Sequence, residues 1–435
     1  MKQVFTLLLL LLFFIRGRAQ TNYFPPTNNS TWDTLSPTQL NWCSSSIDSL
    51  NNYLQSTKTD AFIILKNGKI VLEKYFGTFT QDSIHYWASA GKSLTAMITG
   101  IAQQKGMLNI NDSASKYLGT GWTSETPAKE KLITIKHLLT MTGGMNDSPA
   151  LPCLTTSDNS ACLQYLADAG TRWSYHTGAY RKIEDIISSV TGQNYTAATN
   201  NLIGNKIGMN GIWVQSVYYS KAREMARFGL LALNKGIWQN DTILKDTAYY
   251  RAMINTSQNY NLSYGYLWWL NGKSSAMVPF SQIQYTRKLI PNAPNDLFCA
   301  LGKNDQKIYV IPSESMVIIR MGSAAYEGET VTVYDSILWN YINKLSDGCV
   351  STGIETFKNT KKCKIFPNPA TNFISFSGFS NTEIIRYSIV NVYGQVLYND
   401  DTYNHSINIS ELPAGQYYVH LQNEEMQAIK PFIKN

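Results

Sequence analysis

A helical pattern of apolar residues follows a serine and a lysine in the segment Tyr86–Ile101, which reads YWASAGKSLTAMITGI. Its apolar side chains recur with the i, i+3, i+4, i+7 spacing of a helix that faces a core: Leu94, Met97, Ile98 and Ile101. Lys92 lies one turn before this run, and Ser89 lies one turn before Lys92. The pattern predicts a buried helix that begins with serine and lysine on one side.

Strand patterns stand at both ends of the region that precedes residue 346. Ala61–Phe76 contains two β-rich runs joined by Asn67 and Gly68, which is a strong hairpin signal. Two further strands and an amphipathic helix are predicted late in the region, at Gln306–Pro312, Ser315–Gly322 and Val333–Leu345. Strands at both ends with helices between them favour an α+β fold, in which the two ends share one antiparallel sheet.

The composition changes after Leu345. Residues 346–362 are polar and rich in turn formers, as in a linker. Short alternating strands follow with the spacing of a small β-sandwich: Asn372–Ser377, Arg386–Tyr398, His405–Ser410 and Gln416–Gln422. We therefore predict a main domain over residues 20–345, a linker over 346–362 and a C-terminal β-sandwich domain over 363–435.

The start of the chain has the pattern of a signal peptide over residues 1–19. Lys2 precedes the apolar run Val4–Ile15, and the small residues Gly17 and Ala19 mark a cleavage site. This run is short for a membrane span, and no later run approaches that length. We expect a protein outside the cytoplasm, with no stable membrane insertion.

Composition and charge exclude some classes of function. Of the 435 residues, 44% are hydrophobic and 15% are charged, which is typical of a globular protein. The formal charge of +7 is scattered apart from the cluster Lys358–Lys364, so no nucleic-acid partner is expected. Six cysteines fit an oxidising compartment, and the pairs Cys153–Cys162 and Cys349–Cys363 are both candidates that spacing leaves open.

Ser89 and Lys92 have the spacing of a nucleophile and its base. A serine hydroxyl needs a base to remove its proton, and a lysine serves when burial lowers its pKa. Residues three apart share a helix face, so the amine can reach the hydroxyl. A helix start also directs free N–H groups at developing negative charge. The same tetrapeptide pattern recurs at Ser113–Lys116, but this copy lies in a polar stretch and is expected at the surface.

Other catalytic schemes have less support in the sequence. No G-x-S-x-G motif occurs, which argues against an α/β-hydrolase. The main domain contains three histidines, His85, His137 and His176, and none has a context that marks it as a triad base. No zinc-site spacing is present, and we predict no metal and no other cofactor.

Several motifs in order resemble the serine β-lactamase and penicillin-binding-protein family, in particular its class C-like branch. They span about residues 60–345: ASAGKSLTAMITGIAQQKGMLNINDSASKYL, ITIKHLLTMTGGM, EMARFGLLALNKGIW and YGYLWW. The resemblance implies an α+β fold, with a β-lactamase/transpeptidase-like antiparallel sheet flanked by helices and an all-helical subdomain. It also implies that Ser89 is the nucleophile and that Lys92 assists it.

The family's second motif, Y-x-N, is similar to the segment WSYHTGAY. The match makes Tyr175 the tyrosine that shares protons with the nucleophile and the leaving group. A tyrosine needs adjacent positive charge to act as a base, and Lys92 is the candidate source. Thr177 stands where the family has asparagine, which changes how an acylamide substrate would be held.

The family's third motif, K-T-G, does not occur in this chain. The segment ALGKNDQKIYV is the best match, with Ala300, Leu301 and Gly302 in the motif's places. The resemblance implies that Gly302 permits close approach of substrate, and that the N–H of Lys303 joins that of Ser89 in an oxyanion hole. Alanine in the lysine position argues against substrates that carry a carboxylate at that point.

The C-terminal region resembles the sorting domain of type IX secretion. The stretches that carry this likeness are IFPNPATNFISF, VYGQVL and INISELPAGQYYVHLQ. The resemblance implies export across the outer membrane by a secretion machinery that recognises this domain. The expected location is secreted or at the cell surface.

Three hypotheses of function follow. The first is a secreted serine hydrolase that cleaves small esters or amides through an acyl-enzyme. Within the same class, a D,D-peptidase or β-lactamase acting on cell-wall peptides or β-lactams is the alternative. The others are a non-catalytic module that binds cell-wall peptides and a surface adhesin with a decayed domain.

Overall fold

The structure consists of two compact units, and each is described by itself. This computed structural model describes residues 22–326, 332–346, 363–379, 384–391, 396–423 and 427–435. The signal peptide predicted at residues 1–19 lies outside the described residues, as does all of the predicted linker except Ser346.

Among its described residues, the first unit contains a main antiparallel sheet and two smaller sheets. The strands of the unit are numbered together in chain order. Its strands are β1 (Thr59–Lys66), β2 (Lys69–Tyr75), β3 (Ile84–Tyr86), β4 (Ile212–Val214), β5 (Val217–Lys221), β6 (Ile237–Trp238), β7 (Asp241–Thr242), β8 (Trp269–Leu270), β9 (Phe298–Gly302), β10 (Gln306–Ile311) and β11 (Met316–Gly322). Six strands of the described chain form the main sheet, in the order β2-β1-β11-β10-β9-β8. Strands from both ends of the unit meet where β1 pairs with β11, as the sequence predicts.

Eleven α-helices of the described residues belong to the first unit, and some of them cover the two faces of its main sheet. They are α1 (Ser44–Ser56), α2 (Gly91–Gln104), α3 (Ser115–Leu118), α4 (Pro127–Glu130), α5 (Ile135–Leu139), α6 (Thr177–Thr191), α7 (Tyr195–Thr199), α8 (Asn205–Ile207), α9 (Ala222–Leu233), α10 (Thr247–Met253) and α11 (Val333–Asn343). On β10, Ile308 lies beside Gly229 of α9, and the next residue, Tyr309, packs edge-on against Trp339 of α11. Because successive strand residues point to opposite faces, α9 and α11 cover opposite sides of the sheet.

The predicted hairpin is confirmed, with β1 and β2 joined by Asn67 and Gly68. Both turn residues have positive φ, 52° and 79°, the combination that a tight two-residue hairpin turn requires. A side chain at Gly68 would place its Cβ 1.9 Å from the carbonyl oxygen of Tyr23, so glycine is also needed for space. The late strands β10 and β11 and the closing helix α11 are confirmed as well.

The predicted helix α2 is buried over most of its length. The side chains of Leu94, Met97, Ile98 and Ile101 are fully buried, in agreement with their helical spacing. Gly100 permits close packing, because a Cβ there would lie 2.4 Å from the ring of Tyr249 on α10. Among the described helices, none has both the length and the apolar character to cross a membrane.

The second unit is a small β-sandwich. Its strands are β12 (Lys364–Phe366), β13 (Phe373–Ser377), β14 (Ile385–Asn391), β15 (Val396–Thr402), β16 (Ser406–Asn408), β17 (Gly415–Gln422) and β18 (Gln427–Lys434). Within the described part, they form sheets in the orders β12-β13-β16 and β15-β14-β17-β18. Alternate residues of both sheets, including Ile374, Ile389 and Val419, bury their side chains in a common core.

Candidate active site

Ser89 lies in a short 3₁₀ turn, Ala88–Ala90, that runs directly into α2. The turn is anchored by Trp87, whose buried indole donates a hydrogen bond to Ser220 (2.9 Å). Ala88 has φ 47°, a conformation that is unfavourable for a residue with a Cβ. Ser89 itself is partly exposed and lines a cleft of about 500 Å³. The serine therefore stands in a strained turn, open to this cleft, at the start of a buried helix.

Lys92 is 1% exposed and lies directly beneath the serine turn. Its Nζ donates hydrogen bonds to the main-chain oxygens of Ser89 (3.0 Å) and Leu301 (3.2 Å). Burial, assisted by the positive charge of Lys307 and opposed by Cys299, lowers the Lys92 pKa to about 7. The amine is thus close to half deprotonated at neutral pH, and the deprotonated form is the one that can act as a general base.

Tyr175 faces the cleft from the segment before α6, and its hydroxyl interacts with the Ser89 side chain. Its ring stacks on that of Trp269, with centroids 6.1 Å apart and planes 14° from parallel. The Lys92 Nζ lies 5.5 Å from the centroid of the Tyr175 ring. Burial nevertheless raises the Tyr175 pKa to about 12, although the neighbouring Ser89 side chain and Arg181 oppose this shift. The expected lowering by Lys92 is not found, and Tyr175 stays protonated.

Tyr180 also interacts with the Ser89 side chain, which the sequence analysis did not predict. It is 4% exposed, and burial raises its pKa, so this phenol stays protonated too. A signal was present in the sequence. Thr177 and Tyr180 are three residues apart on α6 and share a helix face, so a cleft position for Thr177 implies that Tyr180 lies near the serine.

The start of α6 places Thr177 at the cleft and gives His176 a structural role. Thr177 is 8% exposed and lines the cleft, where the sequence analysis placed it. His176 caps the helix, because its Nδ1 accepts a hydrogen bond from the N–H of Ala179 (3.1 Å). Burial lowers the His176 pKa to about 4, so the ring is neutral under ordinary conditions. This histidine is a helix cap.

The loop between Cys153 and Cys162 closes one side of the cleft. These cysteines form a disulfide, whereas Cys363, a candidate in the other pair, is a free thiol. The loop carries Thr156 to the cleft, and the Thr156 carbonyl accepts a hydrogen bond from Arg181 of α6 (3.1 Å). The sequence analysis named Cys153 and Cys162 as a candidate pair and did not connect the loop between them with the site.

Strand β9 closes against the serine turn through Gly302. A Cβ at this position would lie 2.3 Å from the Trp87 carbonyl oxygen and 3.1 Å from the Ala90 nitrogen. Gly302 also lines the cleft, together with Lys303, whose side chain is exposed. Ala300, in the place of the family's lysine, is fully buried opposite Ile308. Gly302 thus allows β9 to lie close to the protein's own serine turn, and the close approach of substrate that the resemblance implies stays a prediction.

Replacing Gly302 by alanine is expected to disturb the site. The new methyl group can be accommodated only if β9 and the serine turn separate, since its nearest neighbour is a main-chain oxygen. We expect a destabilisation of about 1–3 kcal/mol, as for other overpacked positions, and at least a tenfold loss of kcat/KM. Urea unfolding and ester turnover measure the two effects. Gly415→Ala is the control, because the nearest neighbours of its Cβ would be Tyr417 side-chain atoms, at 3.5 Å or more. Equal effects of the two changes would contradict the prediction.

Comparisons with known proteins identify the families to which the two parts of the chain are similar. Residues 51–335 match the family model described as Beta-lactamase, and residues 364–435 match that of the secretion system C-terminal sorting domain. The protein of Bacillus subtilis that bears the name penicillin-binding protein PbpX is 31% identical over 37% of this chain and 42% of its own length. The match thus spans less than half of that relative.

Two solved structures have a similar fold. One, from Bacillus anthracis, is described as a 6-aminohexanoate-dimer hydrolase, with a TM-score of 0.57, 20% identity and coverage of 75% of this chain and 89% of that one. The other is EstCE1, described as a hydrolase with promiscuous acyltransferase activity, with a TM-score of 0.53, 12% identity and coverage of 71% and 99%. At these identities the likeness concerns the fold alone. Together with the family match over residues 51–335, it shows that this chain belongs to the Beta-lactamase family and ends in a secretion system C-terminal sorting domain.

Proposed function

We propose that the chain is an exported serine hydrolase that cleaves an ester or amide through an acyl-enzyme on Ser89. One observation carries the proposal: a partly exposed serine in a cleft stands over a buried lysine whose pKa is about 7. An ordinary structural lysine is charged and solvated, and burial of its charge costs free energy. Deprotonation near neutral pH supports a role as the base.

The first step joins the serine to the substrate. Neutral Lys92 accepts the proton as Ser89 Oγ bonds to the carbonyl carbon, and the carbonyl π electrons move to its oxygen. That oxyanion is stabilised by the N–H groups of Ser89 and Lys303, as the family resemblance implies. When the oxyanion collapses, the bond to the leaving group breaks, and Tyr175 donates the proton that the leaving atom needs. The Lys92 ammonium then restores the Tyr175 proton.

The second step releases the acyl group. Water attacks the ester carbonyl of acyl-Ser89 and loses a proton to Lys92, and the serine oxygen leaves with a proton. The net reaction is hydrolysis to an acid and an alcohol or amine. Tyr175 suits the role of donor better than that of base, because its pKa lies near 12.

Small esters and simple amides fit the site better than β-lactams or D-alanyl peptides. Thr177 offers a hydroxyl where an amide side chain would hold an acylamide, and Ala300 supplies no positive charge. A structural neighbour described as a 6-aminohexanoate-dimer hydrolase supports amide cleavage by the same fold. A cell-wall peptidase or β-lactamase remains the alternative, in line with the PbpX match.

Export completes the proposal. The C-terminal domain is the element that the outer-membrane secretion machinery would recognise, and residues 1–19 would direct the first translocation step. On this proposal the catalytic domain spans residues 20–345, and a linker at 346–362 separates it from the sorting domain. The enzyme would then act outside the cell or at its surface.

Active-site labelling tests the proposed function. A fluorophosphonate probe should add its phosphonyl mass to the peptide that contains Ser89, and excess p-nitrophenyl acetate should slow the labelling. Nitrocefin turnover measured in parallel separates the alternatives, because rates close to the ester rate would favour a β-lactamase. Absence of both labelling and ester turnover, with binding to peptidoglycan retained, would favour the non-catalytic module; loss of that binding as well would favour the adhesin.

A further inference from the structure

The cleft has an aromatic wall next to Ser89. Tyr175 and Trp269 form a stacked pair, and Pro279 and Phe280 continue the lining toward the rim. Flat apolar surfaces of this kind bind hydrocarbon and aromatic groups, because such groups leave water on contact with them. The wall therefore indicates that one end of the substrate is apolar.

Phe280 is the unusual member of this wall. Its side chain is 72% exposed and its φ is 62°, so a large apolar residue stands in water with an unfavourable main-chain conformation. Strain of this kind persists where the surrounding structure holds it, and it is frequent in ligand clamps. Here the loop is held at its base by the pairing of Ala276 with Tyr285.

A second tie fixes the Phe280 loop to the site. Gln282 donates hydrogen bonds to the main-chain oxygen of Trp173 (3.2 Å) and to Asp147 (3.3 Å). Trp173 lies two residues before Tyr175, so this tie joins the loop to the segment that carries the tyrosine. Phe280 is thus held at the cleft that Ser89 and Tyr175 also line.

Deep in the cleft, positive charges are either paired with carboxylates or lost near neutral pH. Lys307 is 1% exposed, and its Nζ lies 3.2 Å from Asp305 and 2.9 Å from Asp335. Lys92 loses its charge near pH 7. Lys303 is exposed, and a solvated charge attracts an anion only weakly. A substrate carboxylate that entered the depth of the cleft would lose its hydration without gaining an unpaired cation.

From the aromatic wall, the strained rim residue and the compensated charges, we infer the substrate class of this site. The substrate is an uncharged ester or amide in which at least one group beside the scissile carbonyl is aromatic or a bulky hydrocarbon. That group packs against the aromatic wall to which Tyr175, Trp269 and Phe280 belong. The inference rests on the proposed hydrolase function and narrows it.

Two series of esters test the inference by pH-stat, without a chromogenic leaving group. In one the acyl group changes, from ethyl acetate to ethyl phenylacetate; in the other the alcohol changes, from ethyl acetate to 2-phenylethyl acetate. We expect kcat/KM to rise at least tenfold with the phenyl group in one series. Monoethyl succinate, which carries a carboxylate, should be the poorest substrate.

Two variants on the same loop separate the effect of losing a cleft-lining side chain from the effect of losing any exposed side chain of the loop. Phe280→Ala should reduce the preference for the phenyl-bearing ester about tenfold. Ile283→Ala should leave it within twofold, since Ile283 is similarly exposed (62%) and does not line the cleft. Both side chains are exposed, so both variants should fold, and unchanged thermal midpoints verify this.

The outcomes distinguish this inference from the function on which it rests. If ethyl acetate is cleaved by Ser89 but neither series shows a phenyl preference, or if Phe280→Ala leaves that preference intact, the substrate class is wrong and the hydrolase stands. Preference for monoethyl succinate over ethyl acetate would also overturn it. If no ester is cleaved in a Ser89-dependent manner, the proposed function itself fails.

Discussion

Replacing Ser89 by alanine is expected to lower kcat/KM for small esters by at least about four orders of magnitude. The variant lacks the atom that forms the acyl bond, whereas the cleft, Lys92 and Tyr175 remain in place. Ser89 is partly exposed in a turn, so removal of its hydroxyl leaves no cavity in the core. Turnover of p-nitrophenyl acetate and labelling by a fluorophosphonate should both disappear, at unchanged thermal stability.

The chain contains a matched control for this change. Ser113 and Lys116 repeat the same spacing, but Lys116 is exposed and pairs with Asp112 at 2.6 Å. Ser113→Ala should therefore keep turnover within twofold of the wild type. Residual labelling of Ser89→Ala at the wild-type rate would show that another group is the nucleophile.

Replacing Lys92 by methionine should abolish turnover and stabilise the first unit. Methionine fills a similar volume without a base, and we expect kcat/KM to fall by about three orders of magnitude. Stability should rise because the native protein holds an amine whose pKa is about 7, against 10.5 for an ordinary lysine. We expect a gain on the order of 2 to 3 kcal/mol near pH 8, after the loss of two hydrogen bonds to carbonyl oxygens.

The pH dependence of this gain has a definite sign. Between pH 7 and pH 10.5 the unfolded chain binds a proton at Lys92 that the folded chain has released. Wild-type stability therefore rises with pH in this window, by at most about 1.4 kcal/mol per unit for one proton. The variant lacks this contribution, so its advantage should be largest below pH 7 and should shrink toward pH 10.5. Wild-type kcat/KM should rise with pH through about 7.

Urea unfolding at several pH values measures this effect. All ten tryptophans lie between Trp32 and Trp339, so tryptophan fluorescence follows the first unit alone. Lys116→Met is the control, since its lysine is exposed and its removal should give no comparable gain. If Lys92→Met proves less stable than the wild type at pH 6 to 8, burial of the Lys92 amine does not destabilise the folded protein, and its pKa is not lowered to about 7.

Local patterns in the sequence were sufficient for much of the fold. The Asn67-Gly68 hairpin, the late strands and α11 follow from the periodicity of hydrophobic residues and from turn residues, which are signals within a few positions of the chain. β18 was not predicted, and its Pro431 explains why, since proline argues against a central strand. The strand lies at a sheet edge next to β17, where a residue without an N–H is tolerated.

The site was predictable only where family motifs mark it. Ser89, Lys92, Tyr175 and Thr177 belong to such motifs, and the structure brings them together. Phe280, Lys307 and Thr156 could not be predicted, because their proximity to Ser89 arises from tertiary packing between distant loops and strands. The raised Tyr175 pKa was missed for a similar reason, since burial depends on the whole fold.

The bridged loop between Cys153 and Cys162 has a consequence for when the site matures. The loop contributes Thr156 to the cleft, and its Thr155 carbonyl accepts a hydrogen bond from the N–H of Gly178 on α6 (2.8 Å). Cysteines remain reduced in the cytoplasm and pair after export. On the proposed export route, one wall of the cleft is therefore completed by oxidation outside the cytoplasm. The proposed enzyme would then gain its complete cleft only after export.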